Sequence, residues 1–133
     1  MVAETNLTNL IKGMTPKLND GVYVFITVND LSQIDRNDTI CEFKEQEGTT
    51  LVLEKMKADR LNLTYDFVLS WITLMVHSSL AAVGLTALIS EKLRTNNISC
   101  NIIAGYYHDH LFVPTKDAQK AVRVLTDLSK NYS

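Results

Sequence analysis

From Phe67 to Ser90 the chain carries no Asp, Glu, Lys or Arg. An uncharged run this long is either a membrane span or a stretch of buried secondary structure, and the choice decides the class of protein. The run is not uniform. Phe67-Val68-Leu69-Ser70-Trp71-Ile72-Thr73-Leu74-Met75-Val76 is rich in β-branched and aromatic residues, as strands are. His77-Ser78-Ser79 then interrupts it with polar groups, two of which favour helix N-termini. Ala81 to Arg94 follows with helical spacing, Leu85, Leu88, Ile89 and Leu93 on one side and Thr86, Ser90 and Arg94 on the other. A polar break at mid-membrane is costly, and no basic cluster flanks the run on one side. The segment therefore reads as strand, loop and helix of a soluble domain, with no membrane partner expected.

Composition agrees. In 133 residues, 46% are hydrophobic and 21% charged, which argues against disorder and low complexity. A chain of this size buries enough surface to need no disulfide or metal staple. The net charge of −2 shows no basic excess for nucleic acid. Cys41 and Cys100 form no C-x-x-C pair or zinc spacing, and Met1 to Leu10 has no basic and apolar leader pattern. The expectation is a cytoplasmic protein with reduced thiols and no cofactor.

The pattern along the chain predicts a short helix over 5–12, a turn region over 14–21, a strand over 21–28 and a polar loop over 29–37. A hairpin follows over 39–45 and 50–53, then a helix over 54–61 with Met56 and Leu61 as core contacts. In the second half, Asn96-Asn97 ends the helix, 98–104 is a strand, Tyr107 to His110 a tight connection and 111–113 a short strand. The last helix, 116–130, has Ala118, Ala121, Val122, Leu125 and Leu128 on one face. Residues 67–130 thus read β-α-β-β-α, an α+β, ferredoxin-like order with both helices on one sheet face. The first half, 1–65, has the element order of a degenerate copy of 66–133, without an exact repeat.

The strings W-I-T-L-M-V-H-S-S-L-A-A-V-G-L-T-A at 71–87 and A-G-Y-Y-H-D-H-L-F-V-P at 104–114 resemble the strand–loop–helix and the hairpin of an ACT domain. The resemblance is nearest to small stand-alone bacterial proteins with tandem ACT-like halves, formerly a domain of unknown function. It extends to the ACT halves of amino-acid sensors and aspartokinases. It is close over the last 65 or so residues and looser over the first half. It implies a βαββαβ core, a regulatory rather than catalytic role, a homo-oligomer (dimer or higher), and a small-molecule ligand, an amino acid in most of the family. By position in the ACT pattern, Ala82, Val83 and Gly84 offer backbone contacts. Asp109 matches the acidic residue that tandem sensors turn toward a ligand.

The residues themselves support part of this. The turn from His77 to Gly84 leaves N–H groups at a helix N-terminus, which favours an anion. Gly84 lets a ligand or a facing segment approach closely. Asp109 suits an ammonium or guanidinium group, Ser78 and Ser79 in the turn are candidate ligand contacts, and Tyr106 and Tyr107 are candidate walls. Each also has a plainer reading: Ser78 and Ser79 as helix caps, Gly84 as a packing glycine, Asp109 as a turn residue, one tyrosine as core and the other as rim, and Ala104-Gly105 as a bulge.

Two other classes compete. One is an interaction module without a metabolite, pairing through strands such as 39–45. The other is a metal site at His108 and His110. Residues i and i+2 of a strand share a face that i+1 does not, so Asp109 would not join the two imidazoles. No nucleophile elbow or phosphate-binding glycine loop is present, and no catalytic residue is expected.

Overall fold

The computed structural model describes residues 3–132. In chain order the elements are α1 (Leu7–Gly13), β1 (Thr15–Leu18), β2 (Tyr23–Val28), β3 (Thr39–Lys44), β4 (Thr49–Glu54), α2 (Lys55–Arg60), β5 (Leu69–Met75), α3 (Leu85–Thr95), β6 (Asn101–Ala104), β7 (Asp109–Pro114) and α4 (Ala118–Asn131). The chain divides in space into two compact units. One joins residues 3–20 to 70–132; the other is 21–69. The first twenty residues, read in sequence as the opening of the N-terminal half, therefore fold with the second half.

In the first of these units the strands run β1-β5-β7-β6. The expected β-α-β-β-α order is present over β5 to α4. Its fourth strand is β1, antiparallel to β5 with Thr15 opposite Met75 and Leu18 opposite Ile72. Sequence reasoning assigned this segment to a turn. A four-residue strand bearing Pro16 has too little periodicity to declare itself, and proline is tolerated only where its missing N–H is not needed.

The helices share one face of that sheet. Leu85, Ile89 and Leu93 of α3 and Ala118, Ala121, Leu125 and Leu128 of α4 are buried against Ile72 and Leu74 of β5 and Leu111 and Val113 of β7. Leu10 and Ile11 of α1 belong to the same core and are fully buried. Each of the buried Leu, Ile and Val side chains contributes about 1.5–3 kcal/mol relative to exposure. Asn6 caps α1, its side-chain oxygen accepting from the Asn9 N–H at 3.0 Å.

α3 begins at Leu85, four residues later than the apolar spacing from Ala81 indicates. Gly84 lies at φ +99°, a left-handed conformation that starts the helix abruptly and leaves 77–84 as an irregular loop. Strand β7 starts earlier than expected, at Asp109, which pairs with Ala104; no bulge interrupts that register. The tight connection is Gly105 to His108, closed by the Gly105 N–H donating to the His108 carbonyl at 2.9 Å.

In residues 21–69 the strands run β3-β4-β2, all antiparallel, with Leu69 opposite Tyr23. Val24, Ile26, Leu51 and Leu53 face Ala58 of α2. Where the other unit has a long first helix, this one has the loop 29–38, which contributes Ile34 and Leu31 to the core and closes with a 3-10 turn at Arg36–Asp38. Met56 and Leu61, expected in the core, are exposed; α2 is six residues long and turns Ala58 inward instead.

Candidate functional site

The loop after β5 is held by the chain's own N-terminal segment. The Glu4 N–H donates to the His77 carbonyl, and the Ser79 N–H donates to the Glu4 carbonyl, both at 3.0 Å, so Glu4 bridges Ser78 as a short parallel strand would. The Ser79 hydroxyl oxygen accepts from the Ala81 N–H at 3.0 Å, and the Ser79 carbonyl accepts from the Ala82 N–H at 3.0 Å. The N–H groups of Ser79, Ala81 and Ala82 are therefore engaged inside the protein, contrary to the expectation of a loop offering them to an anion. Ser79 caps this local turn and not α3, which has no side-chain cap.

The loop and the hairpin between β6 and β7 come together. The His77 ring packs on the Tyr107 ring with centroids 5.6 Å apart, and Tyr107 meets Tyr106 edge-on at 5.0 Å. A cleft of about 350 Å³ lies here, lined by Ala3, His77, Ser78, Ser79, Leu80 and Tyr106. That volume is within the range of small-ligand pockets. Of the eight candidate residues read from the sequence, Ser78, Ser79 and Tyr106 line the cleft and Tyr107 adjoins it through His77. Both tyrosines are exposed, 74% and 62%, so neither is the core residue that strand alternation suggested; they sit in the turn, not on the strand.

The other four lie elsewhere. Gly84 faces α1: a Cβ placed on it would stand 3.3 Å from Leu7 Cδ2. Ala82 is half-buried against the core, and Val83 projects outward at 83% exposure. Asp109 is no turn residue; it opens β7 and is 7% exposed. By alternation it shares a sheet face with Leu111 and Val113. Burial pushes its carboxyl above the usual aspartate range, opposed in part by His108.

The sequence places His77 at the start of the candidate turn but gives its side chain no ligand-binding role. Its Nδ1 is buried and has no hydrogen-bond partner among the described residues. The signal available was its position as the first polar residue after a long apolar strand. Ala3 and Glu4 carried no signal, because their place beside the loop depends on chain packing.

His110 points to the opposite face from Asp109 and is committed there. The Trp71 indole N–H donates to His110 Nδ1 at 3.0 Å, and the Thr73 hydroxyl lies 3.2 Å from the same nitrogen. The Asn19 amide donates to the Thr73 oxygen at 3.0 Å, and Trp71 stacks on Phe112 with centroids 6.2 Å apart. Burial lowers the His110 pKa, with a smaller contribution from His108. A nitrogen already bonded to Trp71 is a poor metal ligand, and among the described residues no three His, Cys, Asp or Glu side chains converge. Cys100 is half-buried, and burial pushes its thiol up to about 11, the opposite of what a nucleophile needs.

A four-stranded sheet with helices on one face, interrupted in the chain by a smaller α+β unit over residues 21–69, defines a ferredoxin-like protein with two ACT-like halves. Residues 2–70 match the ACT domain, and residues 67–127 match it again. The chain belongs to the ACT domain family. Among solved structures it is similar to a protein of unknown function from Vibrio cholerae, described as a possible transport protein, at 46% identity with a TM-score of 0.83, covering 92% of this chain and 95% of that one. It shares its fold with the regulatory subunit of aspartate kinase from Thermus flavus (8% identity, TM-score 0.61, covering 86% and 96%). The aspartate kinase of Clostridium acetobutylicum has the fold as well (15%, 0.61, covering 88% and 34%). No curated protein matches the chain. No helix among the described residues is long and apolar enough to cross a membrane.

Proposed function

We propose that this protein is a cytoplasmic, non-catalytic regulatory module that reversibly binds an amino acid or a similar small metabolite at the cleft between the 77–84 loop and the 105–108 turn, and acts as a homo-oligomer. The observation that carries this reading is the contact of His77 with Tyr107, which joins the two segments into one concave wall. The contacts proposed are Ser78, Ser79, Tyr106 and Tyr107, with Ala82, Val83 and Gly84 shaping the loop behind them. Asp109, expected to meet a ligand's ammonium group, is buried on the core face of β7 and does not line the cleft, so it is not among the proposed contacts. The paired family matches and the regulatory subunits that share the fold support a regulatory role.

A thermal-shift panel of the twenty amino acids tests the proposal. A ligand at a hundred times its dissociation constant adds about 2.7 kcal/mol of stability, which is several degrees for domains of this size. The second reading, an interaction module without a metabolite, is favoured by the exposure of Leu80, Tyr106 and Tyr107 around the cleft and of Val83 in the same loop. A flat panel together with a stable dimer by light scattering selects it.

A further inference from the structure

We infer that His77 is the specificity-determining residue of the cleft, its imidazole Nδ1 taking a carboxylate oxygen of the bound small molecule. This rests on the ligand-binding reading above and adds which end of the ligand the cleft holds. Nδ1 is a buried polar atom with no partner among the described residues, an arrangement that costs free energy unless an occupant supplies the bond. The backbone of His77 is already used, its carbonyl accepting from Glu4, so the side chain is held in place from behind. The ring packs against Tyr107, which is itself largely exposed. The histidine χ2 torsion is broad and two-fold, so a half-turn exchanges Nδ1 with Cδ2 inside the same envelope.

The remaining lining fixes the sign of the ligand group. Ser78, Ser79 and Tyr106 bring hydroxyls, and none of the lining residues is a carboxylate. The Ser79 oxygen already accepts from the Ala81 N–H, which leaves its proton to donate outward. Glu4, the acidic residue next to the cleft, has its carboxylate turned to the Asn6 N–H at 3.0 Å and the Asn9 amide at 3.4 Å. The hydroxyls and the imidazole can donate to a carboxylate, while the lining offers no carboxylate as counter-charge to an ammonium.

The test is calorimetry with the twenty amino acids and, for each that binds, its carboxamide counterpart, on the wild-type chain and on His77→Phe and His77→Asn. Phenylalanine keeps the ring contact with Tyr107 and removes the nitrogen; asparagine places an amide group near Nδ1. The inference expects His77→Phe to weaken binding about ten- to a hundredfold, His77→Asn to retain affinity within about threefold, and the carboxamide to bind wild type at least about tenfold more weakly than the acid. Ligand addition should also move the Nδ1 nitrogen resonance of His77. Unchanged affinity in His77→Phe, or equal binding of acid and carboxamide, overturns the inference and leaves the ligand-binding reading standing. A wild-type chain that binds none of the twenty overturns both.

Discussion

Leu7 and Gly84 are in near contact: the methyl Cδ2 of Leu7 stands 3.3 Å from where a Cβ on Gly84 would be. The glycine is needed twice over. Its φ of +99° is a region L side chains rarely adopt, and a methyl group there would press on the Leu7 side chain, which must give by a few tenths of an ångström. Gly84→Ala should destabilise the protein by about 1–3 kcal/mol. Leu7 also packs on the core, so Leu7→Ala costs stability of its own; in that background Gly84→Ala should cost less, because the contact is relieved while the backbone strain remains. Urea denaturation of the two single variants and the double variant measures both parts.

The N-terminal segment is structural for the second half. Leu10 and Ile11 are fully buried among α3, α4 and the sheet, and β1 closes that sheet beside β5. Leu10→Ala should cost about 2–5 kcal/mol. The isolated segment 66–133, although it holds the whole of the second ACT match, should lack a cooperative thermal transition, and an N-terminal peptide of residues 1–20 should restore one. Calorimetry of the segment with and without the peptide decides.

Asp109 imposes a pH signature. Burial raises its folded-state pKa above the unfolded value near 3.8, so its contribution to stability is fully present below that value and is lost as pH rises through the folded pKa. Asp109→Asn should therefore be more stable than wild type at pH 7, with the gap closing below about pH 4.

His110 gives the opposite sign. Burial depresses its pKa below 6.5, so its contribution is present above that value and is lost as pH falls through the folded pKa. Wild-type melting temperature should fall on acidification from pH 7.5, and His110→Gln should flatten that slope between pH 7.5 and 5. Trp71→Phe removes the indole donor to Nδ1 and should cost about 0.5–1.5 kcal/mol at pH 7.5.

Cys100 should resist alkylation in the folded protein at pH 8, where a thiol raised to about 11 is almost wholly protonated. Modification at the rate of a free thiol under native conditions would contradict that placement. In denaturant it should react at the ordinary rate.

Much of the site was legible because it lies in a strongly patterned stretch. The polar break His77-Ser78-Ser79 between an apolar strand and an amphipathic helix located the loop, and A-G-Y-Y-H-D-H-L-F-V-P located the hairpin. The status of individual residues was less legible. Asp109 reads equally as a turn residue or a strand terminus until Ala104 is seen opposite it. Tyr106 and Tyr107 alternate as a strand would, yet the turn exposes both. His77 shows no sign in the sequence that one of its nitrogens will be buried without a partner.

The sequence by itself determined the elements with long periodic signals: the apolar strand that became β5, the stripes of α3 and α4, and the ACT resemblance of both halves. These depend on spacing along a single element, which is local. Tertiary structure alone decided that β1 would be a strand, that residues 3–20 would fold with 70–132, and that Leu7 would stand where Gly84 leaves room. Those outcomes depend on which surfaces meet after the chain has closed on itself, and residues far apart in sequence leave no periodic trace of one another.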